Sequence, residues 1–142
     1  KQSFTEEYLT HFPANKKRFT AAVNYYTHRN SENQKMKYKH INNFMKMCDN
    51  SNMLNSAAWD VYENEQDKKY LKMALKWVVK SIDMDAGYAN TDTKAALLLT
   101  LQHYEKCKGK CNKAIQLAQE AGYSKDQISG TYELLEAAEK EL

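Results

Sequence analysis

Proline and glycine are nearly missing from this sequence: one Pro and four Gly in 142 residues. That excludes collagen-like, Pro-rich and Gly-rich classes and leaves few interruptions for helices. Branched and aromatic core formers are also sparse. Leu, Ile, Val and Phe total 24. So small a share goes with disorder when net charge is high, but here the net charge is only +3. Fifteen Ala, ten Tyr, six Met, three Cys and two Trp raise the hydrophobic share to 42%, so the core must be built from Ala, Tyr and Met as much as from branched aliphatics. Ala and Met favour helices, and few residues are β-branched. The composition therefore predicts an all-α chain. Three cysteines, Cys48, Cys107 and Cys111, are too few for a disulfide scaffold. No apolar run approaches the ~18 residues needed to span a bilayer. The length is that of one domain with a single core. The chain starts at Lys1 with no charged-then-apolar leader. The expectation is a mature chain or an excised piece, with any targeting signal outside it.

What is present is helical periodicity, with apolar residues recurring at i, i+3, i+4 and i+7 from end to end. Thr5 to Phe12 reads as a short helix, with Ser3 and Glu6 in capping-box spacing, broken by Pro13. A second helix carries Phe19, Ala22, Val23 and Tyr26 and fades near Arg29. Ser31 or Asn33 starts a third, striped by Tyr38, Ile41, Met45 and Cys48. A turn at Asp49 to Asn52 precedes a fourth helix from about Met53 to Asn64. Asp67 caps a fifth with Leu71, Ala74, Leu75, Val78 and Ile82 inward. Asp92 is expected to cap a sixth, and a seventh runs from about Tyr104 to Ala121, stopped by Gly122. Ser124 and Gln127 repeat the capping-box spacing before a last helix with Ile128, Tyr132, Leu135, Ala138 and Leu142. Short connections favour antiparallel neighbours.

One pattern repeats. Ala74, Val78, Ser81 and Ile82 recur 33 residues later as Cys107, Cys111, Ala114 and Ile115. Small residues at these positions let two helices approach closely. With Asp83-Met84-Asp85-Ala86 ending the first unit and Tyr88-Ala89-Asn90 opening the next, the chain resembles the tetratricopeptide repeat. Ala86 stands where that repeat usually has Pro, and Gln102 replaces its usual turn Gly. Two imperfect units cover residues 54–121, preceded by N-terminal helices in 1–50 and followed by a capping helix over 124–142. The expectation is one helical domain, an antiparallel helix-hairpin array of the α-α superhelix kind.

The resemblance narrows further. The run Leu54 to Asn64, then Ala74-Leu75-Lys76-Trp77, Ser81 to Asp85, Tyr88 to Thr93, Ala95 to Leu98 and Ala121 to Ser124 looks like the helical tail that follows a thioredoxin-like domain in proteins of Bacteroidetes-type bacteria. The resemblance covers residues 50–142 well and the first 50 weakly. In that family the redox chemistry sits on a Cys-x-x-Cys after a strand; this sequence has neither. The resemblance thus implies a scaffold or protein-interaction role beside a redox domain, in an exported setting such as the periplasm or cell envelope, and no catalysis by this segment. It also implies that the first helix of each pair lines a groove. That would turn Met53, Ser56, Asp60 and Glu63, then Ala89, Asp92, Ala96 and Leu99, toward a protein or peptide. A purely structural extension of the redox domain is the alternative.

Chemistry read from the residues themselves is sparse. There is no HExxH, GxxxxGK, GxSxG or GxGxxG, and no cofactor is expected. His103, Cys107 and Cys111 share a helix face at i, i+4, i+8, a spacing open to redox or metal chemistry, but no fourth ligand follows. Cys at small repeat positions equally serves as core. Residues 1–50 carry nine Lys+Arg against four Asp+Glu. The Lys16-Lys17-Arg18 and Lys35-to-His40 clusters could touch an acidic partner or nucleic acid. In the second cluster Lys alternates with apolar residues, which spreads charge around the helix as a solvated face.

Overall fold

The computed structural model describes residues 16–142. The expected helix over Thr5 to Phe12, with its Ser3/Glu6 box and Pro13 break, lies outside the described residues. Seven α-helices and one 3-10 turn form the described chain, and no strand occurs among these residues. The described residues divide into two compact units, one ending at Cys48 and one spanning Asp49–Leu142.

In the first unit, α1 (Lys16–His28) and α2 (Gln34–Met47) pack as a hairpin. Asn33 caps α2, its Oδ1 accepting the Met36 N–H at 3.1 Å. Ala21 of α1 and Tyr38, Ile41 and Met45 of α2 are buried. Tyr25 stacks on Phe44 with ring centres 4.4 Å apart.

The second unit holds α3 (Ser51–Asn64), α4 (Lys68–Met84), α5 (Tyr88–Thr100), α6 (Tyr104–Glu120), the 3-10 turn Asp126–Ile128 and α7 (Ser129–Lys140). Successive helices pack on each other. In addition α3 packs on α5, and α5 on α7. The caps come from the sequence. Asn50 Oδ1 accepts the Met53 N–H at 2.9 Å, so α3 begins at Ser51 rather than near Met53. Asp67 accepts the Lys69 N–H at 2.8 Å and starts α4. Ser124 and Gln127 form the expected reciprocal box, with Ser124 N–H to Gln127 Oε1 at 2.7 Å and Gln127 N–H to Ser124 Oγ at 3.4 Å. One start differs. α5 begins at Tyr88, not after Asp92, because Asn90 reaches back to accept the Gly87 N–H at 2.9 Å. Asp92 therefore lies inside the helix.

α5 is the central element, touching α3, α4, α6 and α7. Its sequence explains the position: Asn90, Thr91, Thr93, Ala95, Ala96, Leu97 and Leu98 are all buried. A helix that hides small and apolar side chains on every side suits enclosure. Ala74, Val78 and Ser81 of α4 and Cys107, Cys111 and Ala114 of α6, the residues that recur 33 apart, are each fully enclosed.

α5 and α6 end alike. At Gly122 (φ 84°) the Tyr123 N–H reaches Ala118 O at 2.9 Å and the Gly122 N–H reaches Gln119 O at 3.0 Å. At Gln102 (φ 64°) the same pair of bonds runs from His103 to Leu98 O and from Gln102 to Leu99 O. Glycine adopts this left-handed conformation without the steric penalty a side chain brings. Gln102→Gly should therefore raise stability by ~0.5–1 kcal/mol, read as a higher midpoint in urea with unchanged slope.

Candidate functional site

Two neighbouring arrangements in the Asp49–Leu142 unit bring polar and titratable groups together. The first begins at the meeting of α3, α4 and α5. Ser81 donates through Oγ to Ser51 O at 2.7 Å, and Ser51 Oγ lies 3.0 Å from Ser81 O and 2.9 Å from Ser81 Oγ. Buried Asn90 donates through Nδ2 to Ser81 Oγ at 3.0 Å and to Asp85 O at 2.9 Å. Its Oδ1 takes the Gly87 N–H, so every hydrogen-bonding direction of this amide except one lone pair is in use. Beside this network opens a cavity of about 500 Å³, walled by the first turn of α3, the α4–α5 turn, the start of α5, the last turn of α6 and Tyr123.

The second arrangement ties α7 to α5. Thr131, fully enclosed, donates its hydroxyl to Asp92 Oδ1 at 2.6 Å, which leaves Tyr88 to donate to Thr131 Oγ1 at 2.7 Å. Burial raises the Asp92 carboxyl above the usual carboxylate range, against the Thr131 hydrogen bond, which lowers it. Burial likewise raises Tyr88, with the Asp92 charge adding to it. Cys107 and Cys111 lie in the adjoining core with Ala95, Leu98 and Ala138. Their sulfurs are 3.9 Å apart, and both are free thiols with no exposed surface. Sharing a hydrogen with Cys107, then burial, holds the Cys111 thiol well above its ordinary value. The same hydrogen bond lowers the Cys107 thiol, so what keeps both thiols from reagents is their enclosure. In the native protein a bulky thiol reagent should therefore find neither Cys107 nor Cys111, and unfolding should release all three cysteines. Two fast-reacting native thiols at these positions would contradict the packing.

The expected groove residues are distributed unevenly. Ser56, Asp60 and Glu63 are exposed on α3 and Met53 is half-buried. Ala89 is exposed and lines the cavity. The remaining three are committed elsewhere: Asp92 to Thr131, Ala96 to the interior with no exposed surface, Leu99 to the core around the two cysteines. The reason is the position of α5, which has neighbours on four sides. Sequence spacing brought Ala89 to the cavity but missed Asn55, Tyr88, Asn90 and Thr131. Of these, only Asn90 had a local signal, three residues after a glycine at a helix start.

No group of three His, Cys, Asp or Glu among the described residues is placed to hold a metal. His103 is exposed at the start of α6 while Cys107 and Cys111 point inward, which separates the three potential ligands. The first unit has its own cavity of about 890 Å³, where Lys16, Lys17, His40 and Lys46 are the charged or titratable lining. Lys35 and Lys39 are exposed, as a solvated face requires. No described helix is long and apolar enough to cross a membrane. Comparison with models of protein families, with characterised proteins and with solved structures finds no match for the chain.

Proposed function

We propose that this chain is a non-catalytic helical interaction module of tetratricopeptide-like build, whose Asp49–Leu142 unit presents a rigid surface to a protein or peptide. The observation that carries the reading is the packing order. Each of α3 and α5 packs both on the next helix and on the next but one, so α3, α5 and α7 stand side by side. That is the packing order of a stack of helix hairpins, and what it leaves to a partner is the exposed side of α3 together with Ala89 at the start of α5. The burial of the small residues 33 apart supports it, since these are where the second helix of each pair must approach its neighbours. A cavity of mixed lining at one end of the unit gives the face a concave feature.

The wider context rests on the resemblance of residues 50–142 to the helical tails of thioredoxin-like proteins. On that reading the chain is the accessory tail of an exported thiol-disulfide protein and helps position its substrates. The reading frame upstream of Lys1 tests this. A strand-rich segment with Cys-x-x-Cys behind a leader is the expected finding; further helical repeats in its place would remove the redox context. Selection of displayed peptides against the full chain tests the interaction role. Enrichment of related sequences is expected, and none would leave a purely structural extension.

A second reading has one observation in its favour. The 3.9 Å separation of the Cys107 and Cys111 sulfurs lies within reach of a disulfide after a small movement. A redox role would require local opening to admit an oxidant, because both thiols are enclosed.

A further inference from the structure

Cys107 and Cys111 hold free thiols whose sulfurs lie 3.9 Å apart with no exposed surface. Three observations bear on what can reach them. The first is their cover. α7 supplies Ala138, Leu134 and Leu135 to the core in which both sulfurs lie. The second is how that cover is held. Of the twelve residues of α7 only Thr131 and Ala138 are buried, against seven in α5 and six in α4. Thr131 is fastened by hydrogen bonds to Asp92 and Tyr88. A helix with few buried apolar side chains opens at lower free energy than the core of its unit. The third is Gly109. Residues four apart on a helix hold their Cβ atoms ~5–6 Å apart, whereas a disulfide needs ~4 Å. α6 must therefore give between Cys107 and Cys111 before the sulfurs can bond. Gly109 lies midway, exposed, and a Cβ there would meet nothing within 4 Å. No packing contact calls for glycine at this point, and glycine weakens a helix interior relative to alanine.

We propose that Cys107 and Cys111 are a redox site gated by α7: when α7 undocks, the pair exchanges with a small-molecule disulfide and closes into a bond within α6. The Cys107 thiolate attacks one sulfur of the incoming disulfide and expels the other as a thiolate. Cys107 leads because the hydrogen bond from Cys111 favours its thiolate. Cys111 then attacks the Cys107 sulfur of the mixed disulfide and expels the second thiolate. The two protons of the protein thiols end on the expelled thiolates, and the two electrons the protein gives up reduce the reagent. A distorted α6 no longer matches the Ala138 face of α7, so oxidation in turn favours the undocked helix. The proposal rests on the second reading above, and its failure leaves the interaction module standing.

The test is incubation of the full chain with oxidised glutathione, read by intact mass and by peptide mapping without reductant. Slow loss of two hydrogens, mapped to a bond between Cys107 and Cys111 and reversed by dithiothreitol, is expected. The rate should change little with urea below the unfolding transition, because only α7 opens. Thr131→Val, which removes the latch, should raise the rate ~30-fold. Gly109→Ala should stiffen α6 and raise the share caught as a single mixed disulfide with glutathione. The oxidised chain should exchange its amide hydrogens faster over 129–140 than the reduced chain. No oxidation below the transition would overturn the proposal. So would a rate whose urea slope equals that of global unfolding, a measurement on the parent protein that stands even if Thr131→Val fails to fold. Capture as two separate mixed disulfides, with no internal bond, would also overturn it and leave a thiol pair that only packs.

Discussion

Asn90→Ala is expected to lower the stability of the Asp49–Leu142 unit by ~3 kcal/mol, about 1 kcal/mol for each of three hydrogen bonds lost. The amide joins three pieces of backbone and side chain at once: Ser81 Oγ of α4, the Asp85 carbonyl and the Gly87 N–H. It is also only 5% exposed, so water does not replace it freely. Without it, α5 loses the contact that sets its start at Tyr88. The Ser51–Ser81 bonds that anchor α3 lose a polarising partner. Asn90→Asp separates shape from chemistry. A carboxylate fits the same space and still accepts from Gly87, but it cannot donate to Ser81 Oγ or to the Asp85 carbonyl. It should be at least as damaging as Asn90→Ala. If Asn90→Asp were neutral in a urea melt, the amide would not be holding these elements together.

Thr131→Val should cost ~2 kcal/mol, because an isosteric methyl strands two partners. Half-buried Asp92 loses a donor, and Tyr88 loses its acceptor. Asp92→Asn is the informative control, since its Oδ1 can still accept from Thr131. Burial raises the Asp92 carboxyl in the folded protein, so the folded state binds a proton more readily than the unfolded state does. The group therefore favours folding below the ordinary carboxylate value, and that contribution is lost as pH rises through the folded value. Asp92→Asn should remove this dependence, leaving stability at pH 7 equal to or above that of the parent. A drop in stability at pH 7 on Asp92→Asn would mean that the charge itself, and not the hydrogen bond, secures α7.

Element type and order were legible because the periodicity is strong. Leu71, Ala74 and Val78 announce the inward face of α4, and the same residues are buried. Caps with a side-chain acceptor at the expected place, Asn33, Asp67 and Ser124, were legible as well. The start of α5 was not. Asp92 is a strong capping residue by type, but the Asn90–Gly87 bond wins because Asn90 is also fixed by α4 and its turn. Such a tertiary tie has no local trace. The candidate cavity was legible only at Ala89. Asn55 sits on α3 with nothing in its neighbourhood to mark it, and Thr131 meets Asp92 across 39 residues of sequence. Positions such as Ala96 and Leu99 have the right helical spacing for a groove, but spacing does not count neighbours. A helix packed on four others has little face left to offer.

The most direct measurement is the affinity of a display-selected peptide for the full chain and for its Ala89→Arg variant, by fluorescence anisotropy. Ala89 is exposed, early in α5 and on the cavity wall, so the arginine should fold normally by circular dichroism while filling and recharging the cavity. Loss of ~10-fold or more in affinity, about 1.4 kcal/mol, is the result expected if this face reads peptides. A peptide that binds both proteins equally, with both folded, would contradict it.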